Sequence, residues 1–116
     1  MKSNTKKGEL GESLAINYLK SKGMKIETQR FRHGRNEIDV ICLDRETLVF
    51  VEVKFRTSSQ FGFPEESVTE QKMDRIKACA EEYCYQKDWK GDIRFDILSI
   101  TEIGNRVEYV LLADAF

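Results

Sequence analysis

Asp39, within Glu37-Ile38-Asp39-Val40-Ile41, is followed thirteen residues later by Glu52-Val53-Lys54, so that two acids and a lysine sit inside strand-like apolar runs. A carboxylate in such a run costs free energy unless a hydrogen-bonding or cationic partner meets it. The chemistry these side chains suggest is metal-assisted attack on a phosphate. Mg²⁺ favours one or two carboxylates, completed by waters and phosphate oxygens, over a cage built wholly of protein. A lysine beside it can hold the phosphate or orient the attacking water.

The elements that must position these groups are two strands and the turn between them. Glu37 to Leu43 and Leu48 to Phe55 are predicted strands, and Asp44-Arg45-Glu46-Thr47 is short and polar enough for a hairpin turn. Whether Leu43 faces Leu48 or Asp44 faces Thr47, the numbers of facing residues add to 91. That register puts Asp39 opposite Glu52, with Cβ atoms about 4.5 to 5.5 Å apart, and Glu37 opposite Lys54. Alternation places Glu52 and Lys54 on one face together with Asp39. Like charges so placed repel unless a cation lies between them, which a divalent metal would provide.

A third carboxylate is a candidate from the first helix. Leu10, Leu14, Ala15, Ile16, Tyr18 and Leu19 form a broad apolar arc at helical spacing, and Glu12 projects at its edge between Leu19 and Ile16. An acid in that position is ordinarily a snorkelling or capped residue; beside a two-acid strand pair, a metal ligand is an equal alternative.

With these residues in view, the chain resembles a known family. A helix carrying Gly11-Glu12, then Glu37-Ile38-Asp39, Glu52-Val53-Lys54-Phe55-Arg56, Phe61-Gly62 and a helix with Lys72 look like the small bacterial YraN family (UPF0102). That family falls in the restriction-endonuclease-like PD-(D/E)xK nuclease superfamily, near the archaeal Holliday junction resolvases. The resemblance runs from about Lys7 to Ile100. It implies Asp39, Glu52 and Lys54 as catalytic residues, and Glu12 as the helix ligand that joins Asp39 and Glu52 around Mg²⁺ or Mn²⁺. Asn36 stands where the family commonly has glycine, and asparagine tolerates positive φ better than other non-glycine residues. The resemblance also implies DNA, branched or otherwise structured, as the partner. Pairing of two copies into a homodimer follows from the same source, although no coiled-coil pattern marks an interface.

Composition bounds the alternatives. The 116 residues, 41% of them hydrophobic, suffice for one core, so residues 1–116 are expected to form a single nuclease-like domain. No apolar run approaches membrane-spanning length, and Met1 to Lys7 lacks the hydrophobic stretch of a secretory signal, which leads to the expectation of a cytoplasmic protein without membrane partners. Cys42, Cys79 and Cys84, an odd number, suit a reducing compartment and read as core filler. With His33 they lack the spacing of a zinc site, and His33 itself reads as a turn residue. A net charge of −1 and a pI near 5.9 argue against a protein that coats nucleic acid indiscriminately. Basic residues nevertheless cluster where a substrate backbone would lie: Arg30, Arg32 and Arg35 before Asp39, Lys54 and Arg56 after the hairpin, then Lys72, Arg75 and Lys77. Arg35, Arg56, Lys72 and Arg75 are the candidate phosphate contacts, while Lys77 reads as a solvated surface charge.

The remaining chain frames the site. Gly23 suits a helix C′ position, Met24 to Arg32 a first strand, and His33 to Asn36 a turn. Thr57 to Glu66 is a loop with the only proline, Pro64, in which Phe61 and Phe63 either pin the loop to the core or stack on bases. Ser67-Val68-Thr69-Glu70 resembles a capping box, and Met73, Ile76, Ala80, Tyr83 and Cys84 stripe the following helix. Gln71 and Lys72 fall in its first turn, where backbone N–H groups can face a phosphate. Ile93 to Ile100 and Arg106 to Ala113 are two further strands joined by Thr101 to Asn105, with Gly104-Asn105 making the turn. The order αβββαββ is read as an α/β fold, a three-layer α/β/α arrangement around a five-stranded mixed sheet, which the resemblance implies to be restriction-endonuclease-like. The long helical crossover between Phe55 and Ile93 allows those strands to be parallel. By similarity, the sheet order should be 1-2-3-4-5 with the second and fifth strands antiparallel to the others.

Two functions of different classes follow. One is a metal-dependent endonuclease hydrolysing phosphodiester bonds of DNA. The other is a catalytically inactive nuclease-fold module that binds nucleic acid or a protein partner; the intact Asp39, Glu52 and Lys54 set speaks against it.

Overall fold

A computed structural model describes residues 6–57 and 68–116, with side chains from residue 10 onward. The elements run α1 (Lys6–Ser21), β1 (Lys25–His33), β2 (Asn36–Asp44), β3 (Thr47–Thr57), α2 (Glu70–Lys87), β4 (Ile93–Ile103) and β5 (Arg106–Leu112). The five strands form one sheet in the order β1-β2-β3-β4-β5. β3 and β4 pair in parallel, as the helical crossover allowed, and the other neighbours antiparallel, as the resemblance implied. β4 continues to Ile103, so only Gly104 and Asn105 turn the chain into β5, a tighter hairpin than Thr101 to Asn105 suggested.

Each helix covers one face of the sheet. Ala15 and Leu19 of α1, four residues apart on one stripe, pack fully buried against Val40, Cys42, Val49, Val51, Leu98 and Ile100. Gly11 extends that stripe because α1 lies so close over β3 that a Cβ there would meet Phe55 at 3.1 Å. The apolar arc is narrower than the sequence suggested, since Leu10 is 45% exposed. On the other face Ile76, Cys79, Ala80 and Tyr83 of α2 meet Ile41, Leu48, Phe50 and Phe95. Phe50 is fully buried there and stacks on Phe95 with ring centroids 5.4 Å apart. Burial on this scale is worth about 2 to 3 kcal/mol for each large side chain.

The hairpin register is the expected one: Asp44 faces Thr47, Leu43 faces Leu48, and the ladder runs to Val40 opposite Val51. It stops one residue short of the acids. There the alternation along β2 also breaks, because Ile38 packs on the α2 side while Val40 and Cys42 pack on the α1 side. Strict alternation would put Ile38 on the face of Val40 and Cys42, and the break puts it on the other. Beside the break, between the pairs Gln29–Val40 and Phe31–Ile38, Arg30 adopts a left-handed φ of 53°, uncommon for a non-glycine residue. The three cysteines are free, Cys42 and Cys79 buried and Cys84 half-buried. His33 ends β1 at the turn, where Gly34 takes a φ of 63°.

Candidate metal and phosphate site

β2 and β3 part where Asp39 stands, and its carboxylate fills the gap by accepting a hydrogen bond from the Val53 backbone N–H at 2.8 Å. The pairing inferred for Asp39 and Glu52 is thus replaced by a side-chain link between the strands, and both acids remain at one end of the hairpin. Asp39 is 5% exposed and Glu52 3%. An open cleft of about 650 Å³ lies over them, lined by Arg35, Asn36 and Glu37 at the start of β2, Asp39, Glu52, and Lys72, Arg75 and Ile76 from the first turns of α2.

Glu52 has no well-aligned hydrogen bond at its buried Oε2. Two ammonium groups approach that oxygen instead: Lys54 Nζ at 3.4 Å, and Lys72 Nζ in closer contact. Burial, then the charge of Asp39, pushes the Glu52 carboxyl up, while Lys72 and Lys54 pull it down. Burial likewise pushes the Lys54 ammonium down, with Lys72 adding to the effect and Glu52 opposing it. Lys72 reaches the cleft because α2 starts there: Thr69 is the N-cap, and its Oγ1 accepts the Lys72 backbone N–H at 3.2 Å. The cap is Thr69, with the helix beginning at Glu70; Ser67 lies outside the described residues.

The structure therefore brings Asp39, Glu52, Lys54, Lys72, Arg35 and Arg75 to one end of the sheet. Glu12 is not among the residues lining the cleft. Its carboxylate is gripped by the Arg30 guanidinium, through Nε at 2.7 Å to Oε2 and through a second contact to Oε1. Arg30 also feels, more weakly than that of Glu12, the charges of Glu37 and Asp39. Arg56, half-buried further along β3, is likewise outside the cleft lining, and Arg32 pairs with Glu37 at 2.9 Å. Lys77 stands over the Phe116 ring at 6.0 Å. The loop with Phe61, Gly62, Phe63 and Pro64 lies outside the described residues.

Among the described residues, no group of three or more His, Cys, Asp or Glu is arranged to hold a metal ion. Two carboxylates suffice for Mg²⁺, whose remaining ligands are waters and phosphate oxygens. Asp39 and Glu52, buried together beside an open cleft and with one Glu52 oxygen lacking an aligned hydrogen bond, fit that requirement. Sequence reasoning missed two partnerships here, Lys72 with Glu52 and Arg30 with Glu12. Lys72 had a signal, its place in a capped first turn, but that pointed only to phosphate. Arg30 had none.

No helix among the described residues is long and apolar enough to cross a membrane. A family model described as uncharacterised protein family UPF0102 matches residues 11–100. A UPF0102 protein of Cytophaga hutchinsonii is 43% identical over 95 residues, covering 82% of this chain and 84% of its own. One of Clostridioides difficile is 37% identical over 112 residues, covering 96% and 98%. One of Chlorobium limicola is 46% identical over 94 residues, covering 80% and 73%. With the matched segment spanning Glu12, Asp39, Glu52, Lys54 and Lys72, this chain belongs to the UPF0102 family, the YraN family of the resemblance.

Proposed function

We propose that this protein is a metal-dependent endonuclease that hydrolyses phosphodiester bonds of DNA, with branched or structured DNA as its substrate class. The observation that carries this reading is the meeting of Asp39 and Glu52 at one open cleft rimmed by Arg35 and Arg75, with Lys54 Nζ 3.4 Å from the Glu52 carboxylate. Asp39 and Glu52 would hold Mg²⁺ or Mn²⁺, whose chemistry when bound is to neutralise phosphoryl charge and acidify water. Asp39 is oriented for this by the Val53 N–H. Lys54, held on a strand two residues after Glu52 with its ammonium 3.4 Å from that carboxylate, would stabilise charge developing on the phosphate. Arg35 and Arg75 offer guanidinium groups to the flanking backbone, which positions the nucleic acid without reading its sequence.

Lys54→Ala tests this reading. Cleavage of branched DNA should fall by at least about 10²-fold, the scale of losing one preorganised charge-stabilising group, while DNA binding stays measurable. Mg²⁺ or Mn²⁺ should be required for cleavage, and Ca²⁺ should support binding without turnover, because it prefers looser, higher coordination. Equal residual activity in wild type and variant would point to a contaminating nuclease.

A second reading has its own observation. Glu52 is already met by Lys54 and Lys72, Glu12 by Arg30, and Glu37 by Arg32, so the acids are neutralised by the chain's own cations. That arrangement suits a nuclease-fold module that binds nucleic acid or a protein partner without cutting. Wild-type protein that binds linear, flapped and four-way DNA but cuts none of them with either metal would establish it over the first.

A further inference from the structure

We infer that Lys72 is an exchangeable counter-ion that covers Glu52 Oε2 until a divalent cation takes the carboxylate, whereupon its displaced ammonium binds the DNA phosphate and couples the two binding events. The inference rests on the metal-site reading above and assigns Lys72 a role beyond that of a simple backbone contact.

The geometry separates Lys72 from Lys54. Both ammonium groups approach the same buried oxygen, and Lys72 is the nearer. Lys54 is carried by β3 itself, two residues after Glu52, with its side chain 24% exposed. Lys72 comes from the opposite layer, on the first turn of α2, with its side chain 37% exposed at the cleft mouth. Of the two, its side chain is the more exposed to solvent. Two ammoniums and a divalent ion cannot share one carboxylate oxygen, because the mutual repulsion of the cations grows as the ion displaces water. The ammonium that leaves most easily is the one whose stem does not lie on the sheet. Arg75, one helical turn further along α2, and Arg35 across the cleft line the region into which Lys72 would swing. A phosphate held there would meet three cations once the metal had displaced Lys72, and two before.

Coupling of this kind is reciprocal, so it has a signature that a plain phosphate contact lacks. Removing a competing cation should tighten metal binding. By calorimetry without DNA, Lys72→Ala and the stem-preserving Lys72→Gln should bind Mn²⁺ about five- to tenfold more tightly than wild type, at the lower end of typical coupling strengths. Lys72→Arg, which keeps a competing charge, should not. The Ca²⁺-dependent gain in affinity for a branched DNA oligonucleotide should shrink in Lys72→Ala and Lys72→Gln. Cooperative thermal unfolding of each variant checks that the fold is intact. Unchanged or weaker Mn²⁺ binding in both neutral variants would overturn the exchange, as would a loss of DNA affinity equal with and without Ca²⁺. Absence of Mn²⁺ binding in wild type as well would overturn the metal-site reading itself.

Discussion

Arg94-Phe95-Asp96 on β4 and Glu52-Val53-Lys54 on β3 are the same local pattern, an acid and a base two residues apart on one face of a strand, and the protein completes them in opposite ways. Asp96 is fully buried. Both its oxygens are taken by the Arg94 guanidinium, at 2.9 and 3.0 Å, and Oδ1 also accepts the Asp114 backbone N–H at 3.0 Å. Arg94 continues to Asp44 at 3.0 Å, tying the end of β2 to the start of β4. Glu52 is nearly as buried, but its partners are lysines, point charges that leave one oxygen without an aligned hydrogen bond. A planar guanidinium closes a carboxylate off; an ammonium leaves it able to change partners. Burial of an acid is therefore no mark of function by itself, and incomplete satisfaction beside an open cleft is the better one.

The largest expected effect tests the closed end of this comparison. Arg94→Leu leaves Asp96 buried without its partner and should cost about 3 kcal/mol of stability in denaturant unfolding. Arg94→Lys should recover only part of it, since an ammonium cannot reproduce the fork. A loss below about 1 kcal/mol, the scale of an exposed pair, would remove the distinction between the two acids.

At the open end, Asp39→Asn should weaken Mn²⁺ binding by at least about tenfold, or 1.4 kcal/mol. The same change should raise stability in metal-free buffer, because it removes a negative charge that disfavours ionised Glu52 while an amide oxygen can still accept from Val53. Unchanged Mn²⁺ affinity by calorimetry would sink the shared site.

Glu52 should also betray its environment through pH. Its carboxyl is pushed above the ordinary 4.5, so the folded protein holds the proton more tightly than the unfolded chain. Its contribution to metal-free stability is then fully present below the ordinary value and is lost as pH rises through the raised one. Subtracting the stability of Glu52→Gln from that of wild type should give a difference that falls with pH across that window. A difference that rises there would make Glu52 a well-paired acid of the Asp96 kind.

The smallest effect concerns the turn that delivers Lys72. Thr69→Ala removes the α2 N-cap and should cost about 1 kcal/mol, with faster amide exchange in the first turn of the helix. Unaltered exchange at Lys72 would mean that the cap does not hold this lysine's turn in place.

Much of this arrangement was legible in the sequence because its causes are local. A two-residue turn between alternating runs fixes the β2–β3 register, and it held from Asp44 opposite Thr47 to Val40 opposite Val51. Spacing by two put Glu52 and Lys54 on one face, and the helical crossover made β3 and β4 parallel. The extrapolation failed where local rules end. At Asp39 the ladder stops, Ile38 and Val40 turn to opposite cores, and Arg30 takes up a left-handed φ.

The sequence by itself thus determined the order of elements, the hairpin register and the acids and lysine that one end of it would carry, since periodicity and turn chemistry act over a few residues. Only the tertiary structure decided which cations those acids meet. Lys72 reaches Glu52, and Arg30 reaches Glu12, because each helix packs on its own face of the sheet and sets down its polar edge beside particular strand residues. That placement depends on how whole layers fit together, and no spacing within a single segment encodes it.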